Sequence, residues 1–230
     1  MTTLPLETSP IFIGLIIVAG IAFIFTISYF GAKKVILREL KKSKAIPITR
    51  IKEGDYAKAI GIAKLVKDPL IAPISGRNCV FYQVIVEKRG SKNRWSTVIN
   101  QTVVQDFFIE TRGEMAVVKT DQPKKFRKIF LEKDHKANSG FWNDANHRLE
   151  KYLKSHGSSS KGILGFSKTM CYYEGIIEPG ERVAIKGIGN WKTIKEPIAG
   201  FNYSKVLTLT GSKDQKLLIT DMKKATKEGM

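Results

Sequence analysis

Cysteine is scarce in this sequence: 230 residues include only Cys79 and Cys171. The two are far apart in the chain and show no metal-type spacing. Small secreted domains held by disulfides carry many more cysteines, so that class is disfavoured, although one bridge stays open. The usage fits a reducing compartment. We expect both thiols to be buried and structural, because free cysteine is among the most buried residue types.

Signatures of catalysis and metal binding are also missing. The sequence has no GxxxxGK[ST] phosphate loop, no GxSxG elbow, no HExxH helix and no calcium-binding loop. Its three histidines, His135, His147 and His156, include no i, i+4 pair that would form a metal-binding helix face. We therefore expect no catalytic residue, no cofactor and no metal, and interpret the chain as a non-enzyme.

Acidic side chains are few: 21 Asp and Glu residues stand against 39 Lys and Arg residues, for a formal net charge of +18. Such an excess favours an anionic partner, which could be phospholipid headgroups, a nucleic acid or an acidic protein. Lysine outnumbers arginine by more than three to one. This ratio argues against bidentate base contacts, so a nucleic-acid partner is disfavoured even though Trp95 and Trp191 stand near cations.

Charge is absent altogether from residues 11–30, IFIGLIIVAGIAFIFTISYF. Twenty helical residues at about 1.5 Å each span the roughly 30 Å hydrocarbon core of a bilayer, so the segment predicts a transmembrane helix. A cleaved signal peptide is disfavoured, because no Lys or Arg precedes the run and no small-residue cleavage site follows it. Residues 1–10 would form a short extracytoplasmic tail.

A basic cluster follows the uncharged segment directly and is opposed only by Glu39. Its members are Lys33, Lys34, Arg38, Lys41, Lys42 and Lys44. By the positive-inside rule, the cluster predicts a single-pass inner-membrane protein with its N-terminus outside and its large domain in the cytoplasm. It is interpreted equally as a topology signal and as a lipid-facing surface on anionic headgroups of the bilayer. Residues 31–53 are expected to form a juxtamembrane helix over 35–44, ended by Pro47, and a linker.

Alternation of apolar and polar residues with period two dominates after residue 54 and predicts strands. One example is Val80, Tyr82, Val84 and Val86. Further strands are predicted at 94–100, 104–111, 115–119, 170–172, 183–185, 206–210 and 217–220. The expected fold is mainly β with one or two helices: an OB-like barrel or small β-sandwich over 54–221, behind one N-terminal transmembrane helix and before a C-terminal tail, 222–230.

One amphipathic helix interrupts the strands. Its apolar face is predicted to contain Trp142, Ala145, Leu149, Tyr152 and Leu153, and Gly157 would end it. Residues 124–139 show no pattern that assigns a structure.

Two segments, 54–62 and 180–188, resemble each other. Each begins with a turn glycine followed by an acid and has a second glycine seven residues later, Gly61 and Gly187 respectively. The first strand of OB-like barrels often begins in this way and bends at a glycine, so the likeness supports a barrel.

Five blocks stand out in order along the chain: APISGRNCVFY at 72–82, Trp95, FFIETRGEMAVV at 107–118, YYEGIIEPGERVAIKG at 172–187 and LLITD at 217–221. Together they resemble the membrane-adjacent domain of the GIDE/MULAN family, whose eukaryotic members are membrane-bound RING-type ubiquitin ligases. The resemblance marks ten residues, all expected to be structural: Pro73, Ser75, Gly76, Cys79, Tyr82, Gly113, Glu174, Pro179, Gly180 and Gly187.

Ligase activity does not carry over, because a RING needs eight Cys and His ligands and this sequence has five, none in CxxC spacing. The resemblance implies the anchor-plus-accessory form expected in a prokaryote. We expect a non-catalytic, membrane-tethered module that recruits an unidentified protein partner to the cytoplasmic face of the membrane. A nucleic-acid or anionic-ligand-binding OB-like domain is the alternative, and a ubiquitin-ligase-like transferase is less favoured.

Overall fold

The computed structural model describes residues 31–139, 145–162, 166–193 and 204–227. The expected transmembrane segment, 11–30, and Trp142 of the expected amphipathic helix lie outside these residues. Within the described residues, no helix has both the length and the apolar character needed to cross a bilayer.

The described residues form thirteen strands and three short helices. In chain order these are α1 (Ala32–Lys41), β1 (Tyr56–Leu65), β2 (Leu70–Ile71), β3 (Asn78–Cys79), β4 (Phe81–Arg89), β5 (Trp95–Val104), β6 (Phe107–Thr111), β7 (Glu114–Val118), β8 (Arg127–Phe130), β9 (His135–Ser139), α2 (His147–Ser155), β10 (Met170–Ile177), β11 (Arg182–Thr193), β12 (Lys205–Thr210), β13 (Leu217–Thr220) and α3 (Lys223–Thr226).

Five strands close a barrel in the ring order β1-β6-β7-β12-β11 and back to β1, and β13 and β8 extend the sheet from β11. Every pair in the ring is antiparallel except β7 and β12. Alternate side chains fill the interior, among them Ala59, Ile109 and Ile185, all fully buried. The expected mainly β fold is confirmed, and the closed ring is consistent with an OB-like barrel rather than a sandwich.

The two similar segments lie side by side, since β1 and β11 pair antiparallel. Each strand follows a glycine with positive φ, Gly54 at 80° and Gly180 at 95°. Gly61 lies where β1 changes partner from β11 to β6, and a Cβ there would come within 2.2 Å of the carbonyl oxygen of Glu110. The strand can bend at this position because glycine lets the two backbones approach closely.

A second, antiparallel sheet has the strand order β5-β4-β10-β9. Its strands come from the two long connections of the barrel, between β1 and β6 and between β7 and β11. One face packs against α2 through a core that includes Val84, Tyr172 and Leu153. Alternation marked β4, β5 and β10 as strands, but it does not show which strands pair, so the separation of this sheet from the barrel was not predicted.

Helix α2 starts at His147 and buries three residues of the expected face, whereas Ala145 of that face precedes the helix and is half-buried. Asn146 caps the helix, because its Oδ1 accepts the backbone N–H of Leu149 at 2.9 Å. Leu149, Tyr152 and Leu153 are buried.

The folded unit is larger at both ends than the expected 54–221 domain. α1 buries Ile36 and Leu40, one helical turn apart, in a core cluster that also contains Met222. Ile48, between α1 and β1, belongs to the core of the barrel. The expected linker and the described part of the expected tail, residues 222–227, are therefore parts of the domain, because their apolar side chains complete its core.

Candidate partner-binding surfaces

Glu174 lies at the centre of one group of the residues marked by the family resemblance, the group around the turn between β2 and β3. It lies on β10, is fully buried, and its two carboxylate oxygens accept the backbone N–H groups of Ile74 (2.8 Å) and Ser75 (2.9 Å). These residues belong to the turn between β2 and β3, in which Gly76 has a φ of 76°. The buried carboxylate thus fixes the turn, and its burial is compensated by the two donors.

Cys79 and Tyr82 lie beside this turn and are structural. Burial raises the pKa of the Cys79 thiol to about 11, and its Sγ lies 3.6 Å from the carbonyl oxygen of Leu70. A thiol with so high a pKa forms little of the reactive thiolate at neutral pH. Tyr82 is half-buried against the core below α2. Cys171 is likewise a buried free thiol, so the expected state of both cysteines agrees with the structure.

Of the other four marked residues, three lie in turns and one lies within a strand of the barrel. Gly113, with a φ of 84°, joins β6 to β7, and Pro179 and Gly180 join β10 to β11. Gly187 lies within β11, where a Cβ would come within 2.9 Å of the carbonyl oxygen of Thr210. These four residues are separate from the turn fixed by Glu174.

A groove of about 480 Å³ lies between α2 and the turn from β2 to β3, and we call it the helix groove. Its lining residues are Ile71, Ala72, Pro73, His147, Arg148, Lys151, Tyr152 and Ser155. Ile71 is 64% exposed, an unusual exposure for a large apolar side chain, and Arg148 and Lys151 are exposed cations. The groove therefore combines an apolar wall with positive charge.

One resemblance residue shapes this groove directly. A Cβ on Gly76 would lie 2.0 Å from Nη1 of Arg148, so the guanidinium packs across the glycine. Sequence reasoning marked Pro73 and Gly76 but missed Arg148, Lys151 and Ile71. The signal available was the basic outer face of α2, which is also what an ordinary solvated helix shows.

A second surface, which we call the basic face, consists of the exposed lysines of α1, of α3 and of the residues just after each helix. They are Lys33, Lys34, Lys41, Lys42, Lys44, Lys223, Lys224 and Lys227. The two helices contact each other and bury their apolar sides in one cluster. Glu39 pairs with Lys42 at 2.7 Å. The sixth member of the expected cluster, Arg38, is half-buried. The lysines after residue 222 were missed because that segment was taken for a tail.

The two candidate tryptophans are not brought together, and neither are the two histidines beside and within α2. Trp95 starts β5 in the four-stranded sheet, whereas Trp191 is near the end of β11 and donates its ring N–H to the carbonyl of Ile51 at 2.9 Å. His147 and His156 lie at opposite ends of α2. Within the part of the chain that the structure describes, no three His, Cys, Asp or Glu side chains are grouped to hold a metal ion.

Comparisons with protein-family models, curated proteins and solved structures find no match for this chain.

Proposed function

We propose that this protein is a membrane-tethered, non-catalytic interaction module that recruits a partner protein to the cytoplasmic face of the membrane. The helix groove carries this proposal, since it joins exposed apolar surface with cations on the outer side of the fold. We propose further that the partner presents a short segment containing both apolar and acidic residues.

The chemistry of the groove selects this kind of segment. Ile71 and the ring of Tyr152 offer apolar contact, which supplies most of the binding energy of a short peptide. Arg148 and Lys151 attract carboxylates, which adds specificity and speeds association. The Glu174 carboxylate fixes the turn that forms the opposite wall, so the groove exists before the partner arrives and little ordering cost remains.

The basic face supports the membrane side of the proposal. Its lysines on and after α1 closely follow the uncharged segment 11–30 in sequence, and the lysines of the face would lie on anionic headgroups, each contributing about 1 kcal/mol near the surface. Because α1 packs on the barrel instead of acting as a free linker, the anchor would hold the domain in one orientation. The topology is tested by a reporter fused after Met230, which we expect to be active only in the cytoplasm.

The groove is tested with the full chain in phosphatidylcholine nanodiscs and a displayed library of short random peptides. We expect enrichment of peptides that combine acidic and apolar residues. By fluorescence anisotropy, Lys151→Glu should weaken binding of an enriched peptide about tenfold, because it turns an attraction into a repulsion.

Lys154→Glu provides a matched control on the same helix. Lys154 is exposed like Lys151 but does not line the groove. Lys154→Glu changes the net charge as much as Lys151→Glu does, but outside the groove. Peptide binding should therefore change by less than about twofold. Enrichment of neutral or basic peptides, or equal losses in the two variants, would contradict the proposed groove.

A further inference from the structure

A second concave site lies between α1 and the barrel, and we call it the lysine cleft. It has a volume of about 330 Å³. Its lining residues are Val35, Arg38, Glu39, Tyr56, Lys128, Asp214, Lys216 and Leu218. Three cations from three different elements thus converge on one cleft: Arg38 on α1, Lys128 on β8 and Lys216 before β13.

Two more lysines lie behind this lining. Lys58 and Lys186 face each other in the register of β1 and β11, and they are only 1% and 5% exposed. The ammonium of Lys186 lies 4.5 Å from the centroid of the Tyr56 ring and donates a long hydrogen bond, 3.4 Å, to the carbonyl oxygen of Glu39. Since Tyr56 and Glu39 both line the cleft, this ammonium lies directly behind its wall.

Negative charge compensates these two lysines only weakly: the carboxylate of Glu39 attracts Lys186 without pairing with it, and no carboxylate in the described part of the chain acts on Lys58 in this way. Neither lysine forms an ion pair with a carboxylate among the described residues, and the carboxylate of Glu39 is engaged by Lys42. The C-terminal end of α1 offers only a partial negative charge, roughly half an elementary charge. Burying an ammonium without a full partner is costly, and this burial lowers the pKa of both lysines.

We propose that the lysine cleft binds a phosphate monoester, either on a lipid headgroup or on a small soluble molecule. A phosphate monoester carries close to two negative charges and several acceptor oxygens, which suits a site where lysines and an arginine converge from separate elements. The carboxylates of Glu39 and Asp214 also line the cleft, but the three lining cations, with Lys58 and Lys186 behind them, outnumber these two.

The position of the cleft connects it with the membrane. Arg38 belongs to α1, whose exposed lysines form much of the basic face, so the cleft lies on that side of the domain. A lipid source for the phosphate rests on the proposed membrane attachment, whereas binding of the phosphate itself does not.

The test uses the full chain and two kinds of probe. Soluble glycerol 3-phosphate is titrated by calorimetry against the chain in phosphatidylcholine nanodiscs. In parallel, the thermal midpoint of the chain is compared between nanodiscs of phosphatidylcholine alone and nanodiscs containing phosphatidic acid. We expect binding in at least one arm, seen as heat or as a raised midpoint. An effect of phosphatidic acid alone assigns the lipid source, and heat with glycerol 3-phosphate assigns the soluble one.

Lys216→Glu and Lys213→Glu separate the cleft from general surface charge. Both residues lie in the loop between β12 and β13, but only Lys216 lines the cleft, and Lys213 is exposed. Lys216→Glu should weaken binding at least about tenfold, whereas Lys213→Glu should change it less than about twofold. Lys128→Glu, on a different strand, should repeat the loss and serves if Lys216→Glu does not fold.

The proposal is overturned if neither probe binds, or if both loop variants lose binding equally. Lys151→Glu in the helix groove should leave phosphate binding unchanged. If the chain binds phosphate but no peptide, the proposed function fails and the cleft stands. If it binds peptide but no phosphate, the cleft fails and the proposed function stands.

Discussion

Two buried charged sites in this molecule differ in how their charge is compensated. The carboxylate of Glu174 in the four-stranded sheet receives two backbone N–H groups at 2.8 and 2.9 Å. Lys58 on β1 is almost as buried, at 1% exposed, yet no hydrogen bond or ion pair holds its ammonium among the described residues, and the ammonium keeps only slight contact with solvent. A compensated buried charge fixes a fold, whereas an uncompensated one leaves room for a ligand.

The buried carboxylate of Asp221 is intermediate between Glu174 and Lys58 in how far its charge is compensated. It is 7% exposed and accepts the backbone N–H of Glu132 with both oxygens, at 2.9 and 3.1 Å. One donor does not offset its burial, and Glu181 and Asp134 add negative charge nearby. Burial therefore raises the pKa of Asp221 to about 7. The three sites form a series in which stability should respond differently to loss of the charge.

The largest loss of stability is expected on substitution of Glu174, the residue whose buried charge is best compensated. Glu174→Gln leaves one of two buried N–H groups facing an amide NH₂, so the free energy of unfolding should fall by about 3 kcal/mol. Urea unfolding of the full chain in detergent measures the change. The control is Glu178→Gln, which breaks a half-exposed ion pair with Arg77 (3.1 Å) and should cost less than about 1 kcal/mol. Equal losses in both variants would show that Glu174 does not fix the turn.

A smaller, pH-dependent effect is expected at Asp221. Its folded-state pKa, about 7, lies above the unfolded value near 3.8, so its contribution to stability is lost as pH rises from 3.8 to 7. Wild type should therefore gain about 2 kcal/mol relative to Asp221→Asn when pH falls from 8 to 5. Urea unfolding of both proteins at the two pH values measures this difference. A constant difference would mean that the carboxylate does not titrate in that range.

The sequence predicted the barrel more fully than its surfaces. Alternating residues and the paired glycines Gly61 and Gly187 are local features, and they indicated strands that bend, as β1 does. The helix α3 was not predicted, because two apolar side chains, Met222 and Ala225, are too few to show a period. Their importance depends on α1, which packs beside them only in the folded chain.

The candidate sites were predicted less well for a related reason. Pro73 and Gly76 were marked, yet the groove needs α2 as its second wall, and its cations look like those of any solvated helix. Lys58 alternates with alanines along β1, a pattern that normally places lysine in solvent. The packing of α1 over the barrel, a tertiary contact distant in sequence, reverses that expectation.

The smallest change in stability is expected on substitution of Lys58, the residue whose buried charge is least compensated. Lys58→Met replaces an unpaired buried charge with an apolar side chain of similar length, and should raise the free energy of unfolding by about 1 kcal/mol in phosphate-free buffer. Burial lowers the pKa of Lys58, so the folded state releases this proton before the unfolded state does. Stability of the wild type should therefore rise with pH from the lowered pKa toward the ordinary value of 10.5, which narrows its difference from Lys58→Met.

Lys64→Met is the matched control on the same strand, because Lys64 is exposed and pairs with Glu110. The effect of Lys64→Met on the free energy of unfolding should stay within about 0.5 kcal/mol, both below the lowered pKa of Lys58 and near pH 10.5. Glycerol 3-phosphate should stabilise the wild type and Lys64→Met more than Lys58→Met, since only Lys58→Met removes a charge behind the cleft. If Lys58→Met is destabilised instead, and glycerol 3-phosphate acts on all three proteins alike, then the buried ammonium is compensated within the fold and the contrast with Glu174 does not hold.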